Sequence, residues 1–493
     1  MGIFLCTSIL MSCTEEPKND DLFKTPIPSI SITETPDTLS CEADTVYIAY
    51  EAKNGTPNVF CSDTWISTEL QADDNKIEVR SAANPTSRNR TANIRIVNGT
   101  AKEIVSIVQK GNTNIDPDAL SLGDPGVTFD KTMFDPNYPQ MERWSKAGVT
   151  GGIPFVDEML IVTELTACKS AEINAAINAA TAKMNAQGAK RCAILLKNGI
   201  YDINAQVNMV KNVSLIGESR HGVQCIINAS VRSGAGFNFD GNDSYCGIYR
   251  LTIKGGWLNK NGENKPFYDW NIGEDANHEL NGNTNISIFM RDAKNCWVDG
   301  VDIINSADFP LRFNAEHITL RDLHVDGCFN KAGGCQGYFY FIGSDNLLVD
   351  SYITHIRHIS IQGEGAEYNV LYNNDLEQEI SFHSGDKGNN LIEFNRITLP
   401  ADMPPGGQYG GPGYYAIMGP WSNQHHNSLN PNFVYRNKCQ HLNHKTNYTP
   451  WSDDNKIYMG PKEKKPANPL TNFPERPSSF VPKGGTLYPV IVK

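Results

Sequence analysis

The sequence predicts an all-β protein in which a small immunoglobulin-like β-sandwich precedes a right-handed parallel β-helix. Two patterns predict this architecture. Between Ile30 and Gly111, short runs of alternating polar and apolar residues are separated by Gly, Asn and Pro, which is typical of a sandwich. Further along, one short apolar frame recurs about every 22 residues, which indicates a solenoid whose units stack into a continuous core. The 493 residues are too many for one ordinary domain, whereas a repeat array has no such size limit.

Composition and charge restrict the classes of partner. Hydrophobic residues make up 40% of the chain and charged residues 20%, which fits a folded protein and not a disordered one. The net charge of -12 argues against nucleic acid, because phosphate binding needs a basic face. An anionic substrate bound by a local group of Arg, Lys or calcium remains compatible with this balance. We expect a monomer with no nucleic-acid partner.

The N-terminus, "MGIFLCTSILMSCTEEPKNDD", is a short apolar run that ends at Cys13 and is followed by Glu15-Glu16. Residues 1–13 resemble a bacterial lipoprotein signal with Cys13 as the lipidated residue, and the acidic pair resembles the surface-export signal of Bacteroidetes lipoproteins. No other apolar run of about 18 residues competes for the membrane. The missing Lys or Arg before the run departs from the lipoprotein pattern. The resemblance implies a lipid anchor in the outer membrane, at the cell surface or periplasmic face, with residues 14–27 as a linker.

Residues 28–112 form the predicted sandwich. Its strand runs include "DTVYIAYEA", "NKIEVRSAAN" and "EIVSIVQKG". The Trp65-Ile66 strand, the segment "ANPTSRNRTANIRIVNG" and the closing "VQKG" resemble a BACON domain, which is common in Bacteroidetes glycan-degrading proteins. The resemblance implies association with carbohydrate or a spacer role. We expect Trp65 in the core and not on a sugar-stacking surface.

A helix introduces the second domain after a predicted linker at 113–144. The segment "SAEINAAINAATAKMNAQG" has apolar residues at helical spacing and ends in Gly, so it predicts an amphipathic helix. An apolar strand, a Gly turn and a second strand follow in "RCAILLKNGIYDI". This order resembles the entrance to a pectate-lyase-like parallel β-helix. We assign residues 145–460 to that domain as its catalytic unit and residues 461–493 to a C-terminal tail that packs on the outside or frays.

The repeat frame supports this assignment. Between Asn295 and Asn432 its first positions are 22, 29, 23, 21 and 42 residues apart, close to one coil or two. A propeller or sandwich would need longer units with hairpin turns. We expect the recurring Asn residues to form stacked ladders at the turns. Long loops at 257–284 and 400–415 are expected to wall a groove.

The second strand of each coil alternates apolar and polar residues, as in Ile359-Ser360-Ile361. Successive side chains face opposite sides of a strand, so the apolar residues fill the interior and the polar residues face outward. The step of 21 residues places His358 beside Glu379 and Gln362 beside His383, one strand spacing of about 4.8 Å apart. The predicted outward row is Arg312, Tyr340, Ser360 and Ser381.

Cleavage of a uronic-acid polymer by β-elimination fits these residue types. The reaction needs a cation for the carboxylate, a base for the C5 proton and an acid for the leaving oxygen. Imidazole titrates near working pH, so His358 or His383 suits the base, and Arg357 or Lys387 suits the cation. The candidate catalytic residues are Arg357, His358, His383 and Glu379. The candidate substrate-binding residues are Arg312, Tyr340, Gln362, Lys387, Trp421 and His425.

Calcium is the one cofactor that the pattern suggests. It prefers oxygen ligands, and Glu364 and Asp386 are the candidate ligands. Hydrolysis of a glycosidic bond is the alternative reaction, and it needs two carboxyl groups about 5 to 9.5 Å apart. Glu379 paired with Asp386 or with Glu364 would supply them, although no paired Asp residues recur on adjacent coils.

The third interpretation is a glycan-binding or adhesive β-helix without catalysis, in which aromatic loop residues hold the sugar. We favour an extracellular polysaccharide lyase because basic and imidazole groups dominate the row. The coil frame also predicts a solvated outside for Glu367, Glu377 and Glu393. The aromatic loop residues of the binding alternative are Trp257, Trp270, Tyr414, Tyr415 and Trp421.

Overall fold

The computed structural model describes most of the chain in two compact units, Met1–Pro117 and Asp118–Lys493. The predicted lipidation site Cys13, the loop residue Trp421 and most of the two long loops lie outside the described residues. None of the described helices is long and apolar enough to cross a membrane. The described ranges are 27–36, 38–61, 65–84, 90–111, 120–241, 245–256, 284–329, 337–400, 415–420, 425–442, 450–463 and 472–491.

The first unit is the predicted β-sandwich. One antiparallel sheet has the order β1-β2-β5-β4, and a second has the order β3-β6-β7. Ile48, Ile77 and Ile94 are fully buried in its apolar core, and Trp65 packs against that core as expected. The strands are β1 (Ser29–Glu34), β2 (Asp44–Lys53), β3 (Asn58–Phe60), β4 (Ile66–Gln71), β5 (Lys76–Ser81), β6 (Arg90–Asn98) and β7 (Ala101–Gln109).

The second unit is a parallel β-helix, which confirms the predicted fold class. Consecutive strands pass through three sheets in turn and then return to the first sheet one coil further on. Sheet 1 contains β9 (Leu160–Leu165), β10 (Cys192–Leu196), β13 (Val213–Gly217), β16 (Gly247–Tyr249), β19 (Trp297–Asp299), β22 (Thr319–Arg321), β25 (Leu347–Val349), β28 (Val370–Tyr372), β31 (Leu391–Glu393), β34 (Asn432–Tyr435) and the antiparallel β36 (Ile457–Gly460).

The other two sheets complete each coil. Sheet 2 contains β11 (Gly199–Ile203), β14 (Val223–Ile227), β17 (Thr252–Gly255), β20 (Asp302–Ser306), β23 (His324–Cys328), β26 (Tyr352–Thr354), β29 (Asp375–Leu376), β32 (Arg396–Leu399) and β35 (Lys438–His441). Sheet 3 contains β12 (Val207–Asn208), β15 (Ala235–Asp240), β18 (Ile286–Lys294), β21 (Leu311–Glu316), β24 (Tyr338–Phe341), β27 (His358–Ile361), β30 (Ile380–Phe382) and β33 (Ile417–Met418).

Helix α2 (Ser170–Ala186) forms where the apolar periodicity predicts it. Ile173, Ile177 and Ala180 are fully buried in the β-helix core, and the helix packs against β9 to β12. Each interior position continues this core from coil to coil, as Phe339, Ile359 and Ile380 do in sheet 3.

Stacked asparagines hold successive turns together, as the repeat predicts. In the first ladder, Asn346 donates through Nδ2 to Asn369 Oδ1 (2.8 Å), Asn369 to Asn390 (2.9 Å), and Asn390 to Asn432 (2.7 Å). All four residues are fully buried. The side-chain carbonyl and amide groups therefore find hydrogen-bond partners in one another, at positions that water does not reach. A second ladder links Asn374, Asn395 and Asn437.

The predicted linker 113–144 and tail 461–493 both contribute side chains to the β-helix unit. Described residues of both segments pack on the outer face of sheet 1, where Trp144, Leu487 and Tyr488 are buried against its side chains. Strand β8 (Thr128–Phe129) pairs with β37 (Val490–Ile491), and the short helix α1 (Met141–Trp144) belongs to the same layer. The outer face of sheet 1 carries apolar side chains such as Leu347, Val370 and Leu391, so the chain has to cover it.

Candidate functional site

The outward side chains of sheet 3 form a grid at the point where the chain bends from sheet 2. The strand register confirms that Arg312, Tyr340, Ser360 and Ser381 occupy one outward row. A neighbouring row contains Tyr338 and His358, which are paired in register, followed by Glu379, whose carbonyl accepts from Ile359 N (3.2 Å). Apart from Arg312, which is partly exposed, these outward residues are buried, with Tyr338 1% and Ser360 0% exposed. The row therefore does not face open water.

Tyr338 and His383 are hydrogen-bonded across this grid. Tyr338 Oη lies 3.1 Å from His383 Nε2, and the His425 ring centroid lies 4.2 Å from that of His383. Burial, aided by the neighbouring His358, His425 and Arg357, holds the pKa of His383 far below its ordinary value. His383 is therefore a neutral imidazole, and its lowered pKa makes it a weaker base than a free imidazole.

His358 and Glu379 form a second, more deeply buried pair. His358 Nδ1 contacts Glu379 Oε1, and Gln378 Nε2 donates to Glu379 Oε2. Burial raises the pKa of the Glu379 carboxyl and lowers that of the His358 imidazole. The pair therefore holds one proton between two neutral groups and carries no net charge.

Cationic and aromatic groups flank the two pairs. The Arg357 guanidinium carbon lies 5.5 Å from the Tyr338 ring centroid. Arg312 lies 5.4 Å from the Tyr340 ring and 5.2 Å from that of Phe309, which stacks on Tyr340. These guanidinium groups give the face a positive character suited to an anionic ligand.

The Gln362 side chain forms hydrogen bonds with two residues of the outward row. It donates through Nε2 to Tyr340 Oη, and its Oε1 accepts from Ser360 Oγ (3.0 Å). Its amide therefore orders Tyr340 and Ser360, in addition to any contact with a ligand.

Asp308 completes the site and was missed at the sequence level. It is 4% exposed and lies at the same bend, directly before Phe309. Gly337 N donates to its Oδ1 (2.7 Å), next to Tyr338 in sequence. Burial raises the pKa of Asp308 to about 7, although the Gly337 bond and Arg312 both favour the ionised form.

Period-two alternation could have identified Tyr338, because this residue lies two positions before Tyr340 on the same face of the strand. Nothing in the repeat frame marked Asp308. Its relevance depends on the contact with Gly337 on the following coil, which lies 29 residues further along the chain.

Three predicted residues lie away from this grid, at the bend between sheets 3 and 1. Lys387 Nζ pairs with Glu367 Oε1 at 3.7 Å, and Glu364 is exposed. Asp386 is fully buried among Ser428, Asn432 and the Gly388 N–H, all of which donate to its carboxyl oxygens.

This arrangement does not fit the suggested calcium ion. Both oxygens of Asp386 already accept protein hydrogen bonds at the end of the first Asn ladder. The residues that the structure describes contain no group of three or more His, Cys, Asp or Glu placed to hold a metal ion. Burial raises the pKa of Asp386 to about 6.

The expectation that Glu377 and Glu393 are solvated is wrong. Glu377 is 4% exposed and accepts from Thr354 Oγ1 (3.2 Å). Glu393 is fully buried beneath the C-terminal segment, where Thr486 Oγ1 (2.8 Å) and Leu487 N (3.1 Å) donate to its Oε1. The C-terminal segment that buries Glu393 leaves no mark in the coil frame.

Fold and site together define a parallel β-helix protein with imidazole, guanidinium and carboxyl groups gathered on one sheet face. No protein-family model matches the chain, and no curated protein sequence is significantly similar to it.

Solved structures share weak similarity with parts of the chain. The A-module of a mannuronan C-5 epimerase from Azotobacter vinelandii is 11% identical, over 53% of this chain and 93% of that one, with a TM-score of 0.20. A GH5 xyloglucanase from Bacteroides ovatus is 11% identical, over 53% and 71%, with a TM-score of 0.16. A protein from Bacteroides thetaiotaomicron solved by NMR is 15% identical, over 20% and 98%, with a TM-score of 0.15.

Proposed function

We propose that the β-helix unit acts on a polysaccharide and cleaves a uronic-acid-containing glycan by β-elimination. The observation that carries this proposal is the 3.1 Å hydrogen bond between Tyr338 Oη and His383 Nε2, beside the Arg357 guanidinium. A proton acceptor and a cation thus lie side by side. Removal of a proton beside a carboxylate requires both of these groups.

The Tyr338–His383 pair is the proposed base. His383 is neutral, so as the C5 proton moves to Tyr338 Oη, the phenol proton can move to Nε2. A bound uronate carboxylate raises the pKa of a nearby imidazole, because opposite charge favours the protonated form. Substrate binding would therefore strengthen the base. His425, in ring contact with His383, is placed to bind substrate or to accept the proton onward.

His358 has a supporting role in this scheme. Its Nδ1 is engaged by Glu379, and both groups are buried. The neutral pair holds the Tyr338 ring in position, because the His358 and Tyr338 ring centroids lie 4.8 Å apart. Arg357 and Arg312 are the proposed cations for substrate carboxylates.

Hydrolysis is less well supported. It needs one ionised and one protonated carboxyl group around the scissile bond. The two carboxyl groups described beside the Tyr338–His383 pair are Asp308 and Glu379, and burial raises the pKa of both. Neither group is therefore held firmly in the ionised form that a hydrolytic nucleophile or general base needs.

Polysaccharide cleavage is tested with the purified chain lacking residues 1–13 and a panel of polymers: polygalacturonate, alginate, hyaluronan and a neutral glucan. Unsaturated products, detected by new ultraviolet absorbance, are expected from one of the anionic polymers. New reducing ends without this absorbance would indicate a hydrolase, and retention without cleavage would indicate a binding protein. Either result would overturn the lyase proposal.

The proposed location is the outer-membrane surface, with the chain anchored through Cys13 and the BACON-like unit as a carbohydrate-associated spacer. The sequence pattern of residues 1–13 supports this placement. In cells fed labelled palmitate, the wild-type chain should incorporate the label and Cys13→Ala should not. Equal labelling of both would contradict lipidation at this residue.

A further inference from the structure

Asp308 is a buried acid that the base described above does not use. It lies at the bend from sheet 2 to sheet 3, the bend that on the following coils carries Arg357 and Glu379. In the described part of the chain, its one side-chain hydrogen bond is from Gly337 N to Oδ1. Oδ2 is thus uncommitted on a residue that is 4% exposed.

The surroundings of Asp308 belong to the same face as the Tyr338–His383 pair. Gly337, which donates to Asp308, directly precedes Tyr338, so the bond fixes the start of β24 against the bend. Phe309, the next residue after Asp308, lies edge-on to Tyr338 with ring centroids 6.3 Å apart. The carboxyl group and the base therefore lie near opposite ends of the same tyrosine.

We propose that Asp308 is the general acid that protonates the leaving oxygen in the elimination. This assignment rests on the proposed lyase function. In the step, the C5 proton passes to the Tyr338–His383 pair and its electron pair forms the C4–C5 double bond. The C4–O bond breaks, and the departing oxygen takes the proton from Asp308 Oδ2. Exchange with water then returns a proton to Asp308 and removes one from the base.

The chemistry of the position agrees with this role. A general acid works best when its pKa is near the working pH, and burial brings that of Asp308 to about 7. Arg312, whose charge acts on this carboxyl, would stabilise the carboxylate that remains after proton transfer. Activity should accordingly fall as the pH rises through about 7, because the ionised form has no proton to give.

The test compares two leaving groups in the wild type and in Asp308→Asn. Asparagine keeps an oxygen for Gly337 N but has no acidic proton. The first substrate is the polymer cleaved in the panel. The second is a methyl uronoside of the same sugar that carries 4-nitrophenol at its C4 oxygen, since nitrophenolate departs without protonation. Glu316→Gln, an exposed carboxylate change on β21, is the matched control.

We expect Asp308→Asn to lose about 100-fold or more of kcat on the polymer and only a few-fold on the nitrophenyl substrate. Glu316→Gln should match the wild type on both. Equal losses on both substrates, or no loss on the polymer, would overturn the role of Asp308 while leaving the lyase in place. A wild type that gives unsaturated product from neither substrate would overturn the lyase and this assignment together.

Discussion

At the residue scale, the candidate site is a set of polar side chains that the fold keeps neutral. His358, Glu379 and Asp308 are each less than one-tenth exposed, and burial shifts the pKa of each toward its uncharged form. Neutral acid and base groups are the forms that can give or take a proton at neutral pH. Positive charge comes instead from arginines at the margin of the grid.

Tyr338→Phe tests the proposed base. The substitution removes only the hydroxyl, so the ring keeps its packing against Phe309 and His358. We expect kcat on the cleaved polymer to fall about 100-fold or more, with a loss in unfolding free energy of about 1 kcal/mol. Tyr372→Phe, on the outer face of sheet 1, is the control and should keep full activity. Full activity of Tyr338→Phe would remove this residue from the reaction.

At the scale of elements, side-chain ladders decide how coils stay in register. Strands of only two to four residues, as in β27 to β33, contribute few backbone hydrogen bonds each. The Asn ladders add side-chain bonds at fixed positions of consecutive turns. They therefore fix the register that aligns His358 with Glu379 as well as stabilising the core.

Asn390→Ala tests the ladder. Asn390 Oδ1 accepts from both Nδ2 (2.9 Å) and backbone N (3.0 Å) of Asn369, and Asn390 Nδ2 donates to Asn432. Alanine leaves these buried partners unsatisfied, which costs about 1–3 kcal/mol for each group. We expect a marked fall in the urea midpoint, while Asn314→Ala at an exposed position should have little effect. Coinciding midpoints for Asn390→Ala and wild type would contradict the ladder's role.

Arg321→Ala tests the layer on sheet 1. Arg321 binds Asp124 Oδ1 (2.6 Å) through Nη1 and Asp299 through Nε and Nη2 (2.8 Å each), and Arg321 and Asp124 are almost fully buried. Breaking a buried pair leaves its carboxylates buried without a cationic partner, which lowers the unfolding free energy by about 3–5 kcal/mol. We expect lower stability and faster proteolysis between Leu120 and Val127. The exposed Arg80→Ala should change stability far less, and equal effects would be contrary to this account.

At the scale of the whole β-helix unit, the segments that pack on the outer face of sheet 1 bury side chains that the coil pattern alone would leave exposed. The C-terminal segment buries Glu393 and pairs with β8, so residues separated by most of the unit stabilise one another. The same covering raises the pKa of Glu393 to about 7. The folded unit thus holds a proton there that an unfolded chain, with a pKa of about 4.3, releases.

Glu393→Gln tests the resulting pH dependence. A raised pKa stabilises the fold fully below about pH 4.3, and this contribution is lost as the pH rises to about 7. Glutamine stays neutral and keeps an acceptor for Thr486 and Leu487. We expect the melting temperature of Glu393→Gln to rise relative to that of the wild type as the pH increases from 4.5 to 8. A constant difference over that range would rule out titration of Glu393, and Glu316→Gln serves as the exposed control.

The sequence by itself determined the repeat architecture and much of the site's alignment. Spacing of the coil frame and period-two alternation depend only on local backbone geometry, which is why the row through Tyr340 and Ser360 and the neighbours His358 and Glu379 could be predicted. The Asn ladders followed from the same periodicity.

Only the tertiary structure decided which groups are buried and which join the site. The burial of Glu393, the separation of Lys387 from the grid and the contact of Asp308 with Gly337 all depend on segments that lie far apart in sequence. Desolvation sets the pKa of a carboxyl group, and desolvation is a property of everything packed around it. No repeat period encodes that environment, so the acid–base character of the site emerges only when the coils are stacked and covered.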